Sequence, residues 1–294
     1  MTTQSAILSG VSRAGRYLSF SVRGDTPAEI SRDVVTALAV DDDLVVGLGE
    51  PLLALWGCEL EALRTFPALS GPGVQVPSTQ QALWCWLRGD NLGELVIRTH
   101  ALIESLENAF DLEQLVDGFK YGEADLGLDL TGYEDGTENP TGEDALAAAF
   151  VDESKGHLAG SSFVATQLWV HDLERFAEHS TEEQDQIIGR RISDNSEIAD
   201  APESAHVKRT EQESFEPPAF ILRRSMPFAG SDGEGLQFVA FGSSLDAFEV
   251  QLRRMCGLED GTTDALFKFS APVSGGYYWC PPVHEGQLDL RAVS

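Results

Sequence analysis

Cationic side chains are scarce in this chain: 20 Lys and Arg stand against 48 Asp and Glu, a formal net charge of -28 over 294 residues. Such a surface repels phosphate backbones and anionic lipid, which argues against nucleic acid and membrane partners. Long apolar runs are missing as well. No stretch approaches the ~18 residues that span a bilayer, and the N-terminus lacks a basic region followed by an apolar core, so a cytoplasmic location is expected. Cysteine is sparse and scattered at Cys58, Cys85, Cys256 and Cys280, with no Cys-x-x-Cys pair and no His at zinc spacing. A disulfide framework or a zinc site is therefore not expected, and the four should be reduced, partly buried thiols. What is present is ordinary globular material, 42% hydrophobic, long enough for about two domains of roughly 150 residues. A salt-adapted source would also explain the acidic excess.

Hydrophobic periodicity predicts a strand over Tyr17 to Arg23, a helix over Ala28 to Leu38, and a short strand over Leu44 to Leu48 that ends at Gly49. An apolar segment follows around Leu52 to Trp56, and the Gly- and Pro-rich stretch Ser70 to Ser78 reads as loop. A strand beginning at Leu83 turns at Gly89 to Asn91 and leads into a helix from Leu92 to about Ala109. That unit returns at an offset of 153 residues, where Leu236 to Phe241 precedes Gly242, Ser243, Ser244 and Leu245. An offset so near half the chain suggests two copies of one fold, with strands on one side and helices on the other. In the second copy, Ser162 to Val170 would be the opening strand and His171 to His179 the helix after it. The expected division is residues 1–145 and 146–294.

Between the halves lies the acidic, Gly-rich segment Gly122 to Asp144, containing Gly132-Tyr133-Glu134-Asp135-Gly136-Thr137-Glu138-Asn139-Pro140. Glycine permits positive φ and close approach to a ligand, and Asn-Pro shapes the exit, so Asp135 is a candidate to be held at a ligand's face. The plain alternative is a solvated acidic turn. Loops of this length between domains are usually functional, which favours ligand binding. His206 stands out in Ala205-His206-Val207-Lys208-Arg209, beyond the polar run Ser193 to Ser204 and outside any amphipathic pattern. Phe220 to Pro227 reads as a strand with Ile221, Arg223 and Ser225 on one face and Leu222, Arg224 and Met226 on the other. One of the two arginines must then face inward, where it is expected to need an anionic partner such as Asp135 or a ligand carboxylate.

Those three segments, in this order and spacing, resemble the dye-decolorising peroxidases, haem enzymes marked by Gly-x-x-Asp-Gly. The likeness covers nearly the whole chain and includes Leu44 to Gly49 and Ala271 to Tyr278; the compact length is similar to the short bacterial branch called class B. The resemblance implies an α+β fold of two ferredoxin-like domains, each an antiparallel sheet with helices, with haem b (iron protoporphyrin IX) between sheet and helices in the C-terminal half. It also implies His206 as the proximal iron ligand, Asp135 as the distal acid and base, and Arg223 as the distal arginine, with Arg224 its rival. Ser225, two positions on, favours Arg223. Gly136, Thr137, Glu138 and Asn139 would lie beside the cofactor. Asp264 would accept from the outer nitrogen of His206, or else serve as a helix cap.

The implied reaction is reduction of hydrogen peroxide with one-electron oxidation of phenols or dyes. A carboxylate behind the imidazole makes it a stronger donor to iron, Asp135 carries a proton between peroxide oxygens, and Arg223 steadies charge on the breaking bond. Trp169, Tyr133, Tyr277, Tyr278 and Trp279 are candidate electron relays, though each also suits an ordinary core. Lys208 and Arg209 are candidates for haem propionates. A homo-oligomer is expected, and the end at Ser294, soon after Pro281-Pro282-Val283, makes docking to a nanocompartment shell doubtful. Two other readings stay open: a haem-binding or haem-transfer protein without turnover, and a calcium module using Asp135, Thr137 and Asn139. Pro140 and the absence of flanking helices speak against the latter.

Overall fold

The computed structural model describes residues 3–293 except Asp125 and Asp232; Met1, Thr2 and Ser294 also lie outside the described residues. In the first half, β1 (Ala14–Val22), α1 (Ala28–Thr36), β2 (Leu44–Leu48) and α2 (Glu50–Leu55) come first. The hairpin β3 (Leu69–Gly71) and β4 (Val74–Val76) then precedes β5 (Leu83–Gly89), α3 (Leu92–Leu106) and β6 (Phe110–Phe119). The sheet order β2-β5-β1-β6 is that of a ferredoxin-like unit. Ser70 to Ser78 is thus a small hairpin where loop was expected, because Gly73 takes φ +75° and turns the chain tightly enough for β3 and β4 to pair.

After α4 (Gly142–Ala149), which spans the expected division at 145/146, the second half runs β7 (Ser162–His171), α5 (Leu173–Ala177), α6 (Thr181–Ile188) and α7 (His206–Arg209). It continues with β8 (Leu222–Arg223), β9 (Met226–Gly230), β10 (Gly233–Gly242), α8 (Asp246–Met255), β11 (Ser270–Pro272), β12 (Gly276–Cys280) and the closing hairpin β13 (Val283–His284) and β14 (Gln287–Leu288). Here β12, β7, β10 and the β8/β9 pair follow the same order as the first half, so the architecture is α+β and duplicated. The 153-residue repeat falls on β5–α3 and β10–α8, which hold equivalent places in the two sheets. The helix expected over 171–179 is shorter: Asp172 caps it by accepting from the Arg175 N–H, and it ends at Ala177.

The two sheets join through β6–β9 and β12–β2, and because β7 also pairs with β10 the strands close into a ring. Every strand of the ring alternates. Tyr17, Val45, Trp84, Trp86, Val116, Val164, Leu168, Met226, Val239, Phe241 and Tyr278 share one buried cluster inside it. Their neighbours Leu18, Val46, Cys85, Phe163 and Ala165 face outward under the helices. Each large ring fully withdrawn from water contributes about 1.5–3 kcal/mol, so this aromatic interior is a major source of rigidity. Among the described residues, no helix is long and apolar enough to cross a membrane.

Candidate active site

On the outer face of the second sheet, period-two alternation presents Gln167, Trp169 and His171 from β7, Leu236 and Phe238 from β10, and Arg223 from β8. Helix α8 covers this face through Phe248, whose ring centroid lies 5.6 Å from that of Phe238. Beyond that contact the layers part to enclose a cleft of about 1500 Å³, open mouth included. One wall is the sheet and the loop holding Asp135; the other is α7 and α8, with His206, Leu252, Met255 and Leu266.

Asp135 and Arg223 meet in this cleft, with Nη2 of the guanidinium 3.4 Å from the carboxylate Oδ1. Gly132 and Gly136 flank Asp135 at φ +89° and +73°, the left-handed region only glycine enters without cost. A Cβ on Gly136 would sit 2.2 Å from Leu126 Cδ1, so the turn also needs the missing side chain. Asn139 does not line the cleft. Its amide donates to the Arg223 carbonyl at 3.1 Å and accepts from the Arg223 N–H at 2.7 Å, replacing a neighbouring strand on that edge of β8 and tying the loop to its arginine.

The strand expected over 220–227 is interrupted at Arg224 and Ser225, but the register is continuous: Arg223 faces Ala240 and Met226 faces Gln237. The two arginines accordingly point to opposite sides. Arg224 lies inside the ring, donating to the carbonyls of Ile7, Leu8 and Arg223. Burial, with Arg88 nearby, lowers its pKa to about 10. The inward arginine is therefore satisfied by backbone dipoles and not by the anion anticipated for it. Ser225 is buried and accepts from the Val239 N–H at 3.3 Å; it does not reach the cleft.

Across the cleft, His206 opens α7, and its Nδ1 lies 2.8 Å from Asp264 Oδ2, leaving Nε2 for a ligand. Asp264 is fully buried and does both jobs weighed for it, since its Oδ1 caps the following 3₁₀ turn by accepting from the Leu266 N–H. A carboxylate so held fixes the ring's orientation and tautomer. Arg209, itself buried, turns away from the cleft into a two-bond pair with the half-exposed Asp260, and Lys208 pairs with Glu197 at 3.2 Å. The cleft-lining cation in this region is Arg190, which pairs with Glu138. Sequence reasoning missed it because its partner lies 52 residues away on another element.

A second His–Asp couple also escaped the sequence reading. Asp129, on the same loop, accepts from Thr131 N–H at 2.9 Å and Thr131 O–H at 2.5 Å, and contacts His171 Nε2 at 3.1 Å; His171 Nδ1 reaches Ser270 at 2.7 Å. Burial raises the Asp129 pKa, but the bonds from His171 and Thr131 outweigh it and hold the carboxyl below its usual range. Tyr133 and Trp169 line the cleft; the Tyr133 hydroxyl donates to Asp185 at 2.5 Å, and burial followed by that carboxylate pushes its pKa up. Tyr277, Tyr278 and Trp279 are buried core. The oxygens proposed for calcium diverge: Thr137 accepts from Asn195 and Asn139 is spent on Arg223, and among the described residues no three acidic, His or Cys side chains gather to hold a metal ion.

Fold and site together define a cleft between sheet and helices, with an imidazole on one wall and an acid–guanidinium pair on the other. The Dyp-type peroxidase, C-terminal, family matches residues 127–285, more than half of the chain. A dye-decolorizing peroxidase of Mycobacterium tuberculosis is 31% identical over 229 residues, covering 75% of this chain and 67% of that protein. One from Rhodococcus erythropolis is 33% identical over 226 residues, covering 74% and 65%. Among solved structures, a variant of DypB from Rhodococcus jostii RHA1 in complex with haem aligns with a TM-score of 0.86 at 27% identity, over 95% of this chain and 96% of that one. The chain belongs to the dye-decolorising peroxidase family, and peroxidase is its class of enzyme.

Proposed function

We propose that the chain binds haem b, reduces hydrogen peroxide, and oxidises phenols or dye-like aromatics one electron at a time. The observation that carries this reading is the placement of His206, backed by Asp264, across a cleft from the Asp135–Arg223 pair. The residues suit the cofactor. Leu236, Phe238, Leu252 and Leu266 offer apolar walls to a flat macrocycle, His206 Nε2 is left for iron, and Arg190 is placed for a carboxylate at the rim. The bound haem supplies the redox-active iron at which the peroxide bond is broken.

The side chains supply the rest. Asp135 takes the proton from one peroxide oxygen and returns it to the other, so that the departing oxygen leaves as water. Arg223 donates toward the charge that builds on the breaking bond, and Asn139 keeps its backbone in place. Asp264 steadies the imidazole through its far nitrogen. Two electrons from two reductant molecules and two protons complete the conversion of peroxide to two waters. A haem carrier without turnover would gain nothing from a partly buried acid–guanidinium pair, which weighs against that alternative.

Haemin added to purified protein is expected to give a Soret band and peroxide-dependent oxidation of a simple phenol, and His206→Ala is expected to lose both. An unaltered Soret band in His206→Ala, or no peroxide-dependent turnover in the loaded wild type, would refute the assignment.

A further inference from the structure

The loop that presents Asp135 is glycine-flanked, and the Asp135 carboxylate pairs with Arg223 across the cleft wall. From within, the Asp135 N–H donates to the Gly127 carbonyl at 3.2 Å, and Asn139 ties the exit of the loop to Arg223. From outside, Asn195, in the turn after α6, holds the side chains on either side of Asp135: its Nδ2 donates to Glu134 Oε2 at 2.9 Å and to Thr137 Oγ1 at 2.9 Å, straddling Asp135 and Gly136. Both amide hydrogens are used. Because a carboxylate only accepts, Nδ2 and not Oδ1 must face Glu134.

The turn is built to aim that amide. Asn195 takes φ +57°, one of two non-glycine residues found at positive φ among those described, and its N–H donates to the Arg191 carbonyl at 2.8 Å. Arg190 donates to the Asn195 carbonyl at 2.9 Å through Nη1, and its Nη2 pairs with Glu138. Residues 134, 137 and 138 are thus gripped from a single turn. A left-handed asparagine at the edge of a reaction cleft is strain held in place by its surroundings, which is where such outliers acquire a use.

We propose that Asn195 is a positioning residue for Asp135, clasping the loop so that the carboxylate stays in proton-transfer range of a peroxide in the cleft. The proposal rests on the peroxidase reading for its kinetic consequence and on geometry alone for the clasp. Asn195→Gly is the informative variant because glycine keeps the left-handed backbone and removes only the donors. Asn195→Asp sets an acceptor against Glu134, and adding Glu134→Gln to it returns a donor from the other side.

In haem-free protein, amide hydrogen exchange over residues 133–138 is expected to speed up in Asn195→Gly, by about tenfold or more, and to slow again in the Asn195→Asp, Glu134→Gln pair relative to Asn195→Asp alone. In the loaded enzyme, Asn195→Gly is expected to lower the rate constant for peroxide by about tenfold to a hundredfold, with the Soret band and the KM for reductant unchanged. Unchanged exchange in Asn195→Gly, or a peroxide rate equal to wild type while the wild type is active, overturns the proposal. If the wild type neither takes up haem nor turns over, the peroxidase reading fails, and the exchange comparison still decides the clasp.

Discussion

The two halves of the molecule share one strand order yet differ in what lies against their outer faces. In the first, residues 23–43 cross from β1 to β2 with α1 alone, and the apolar residues of the strands are sealed beneath α1, α2 and α3. In the second, the matching excursion from β7 to β8 runs through residues 172–221 and includes α5, α6, α7 and His206. The longer path does not seal the sheet; it stands off and leaves the cleft. The same contrast appears in the second strand of each unit. Leu44 to Leu48 is unbroken and wholly buried, whereas its counterpart is split around Arg224 and Ser225 and delivers one arginine to the cleft and one to the interior of the ring. A duplicated fold acquires a site where one copy lengthens a crossover and interrupts a strand.

The largest expected effect comes from emptying the open half of its charge pair. An Asp135→Ala, Arg223→Ala double variant should keep its Soret band but lose about 10²- to 10⁴-fold in kcat/KM for peroxide, measured by stopped-flow mixing. Retention of near wild-type peroxide kinetics would mean that the cleft works without the feature that sets the two halves apart.

A smaller and pH-dependent effect is expected at Asp129, which anchors the loop to β7 through His171. Its folded pKa lies below the ordinary value because the bonds from His171 and Thr131 outweigh burial, so near that value the unfolded chain binds more protons than the folded one. The stabilisation is complete above the unfolded pKa of about 3.9 and is lost as pH falls through the lowered folded value. Asp129→Asn should cost about 1.5–3 kcal/mol at pH 7 in urea melts, and the difference should shrink in acid below about pH 4. A difference that stays constant down to that range would rule out the linkage.

The smallest effect belongs to the sealed half. Asn91 caps α3 by accepting from the N–H groups of Gly93 and Glu94, and Asn91→Ala should cost about 1 kcal/mol of stability while leaving peroxide kinetics untouched. Altered kinetics there would show that the halves are coupled more closely than their separate roles suggest.

Much of this arrangement was legible in the amino acids because its causes are local. The 153-residue repeat identified equivalent units since each is a strand, a turn and a helix. Alternation placed Arg223 and Arg224 on opposite faces even though the strand is interrupted at Arg224 and Ser225. The Asp135 partner expected for one of the two arginines falls to Arg223 in the cleft, whereas Arg224 inside the ring needs no anion, because it meets the carbonyls of Ile7 and Leu8, whose place depends on where the N-terminal segment docks. Arg190, Asn195 and the Asp129–His171 couple left no sequence signal for a related reason. Each owes its role to a partner on a distant element, and nothing in its immediate neighbours announces the meeting.

The closure of the strands into a ring has a mechanical consequence for the cleft. Arg223 is mounted on a surface braced from behind by interlocked aromatic side chains and joined at both margins, so its β10 backdrop has no free border along which to slip. Any widening of the entrance must be taken up by the segments that face the strands, among them the Asp135 loop, α7 and α8, and not by the strands. The arginine is thereby fixed to the frame, while the carboxylate and the imidazole that face it are carried on a loop and a short helix.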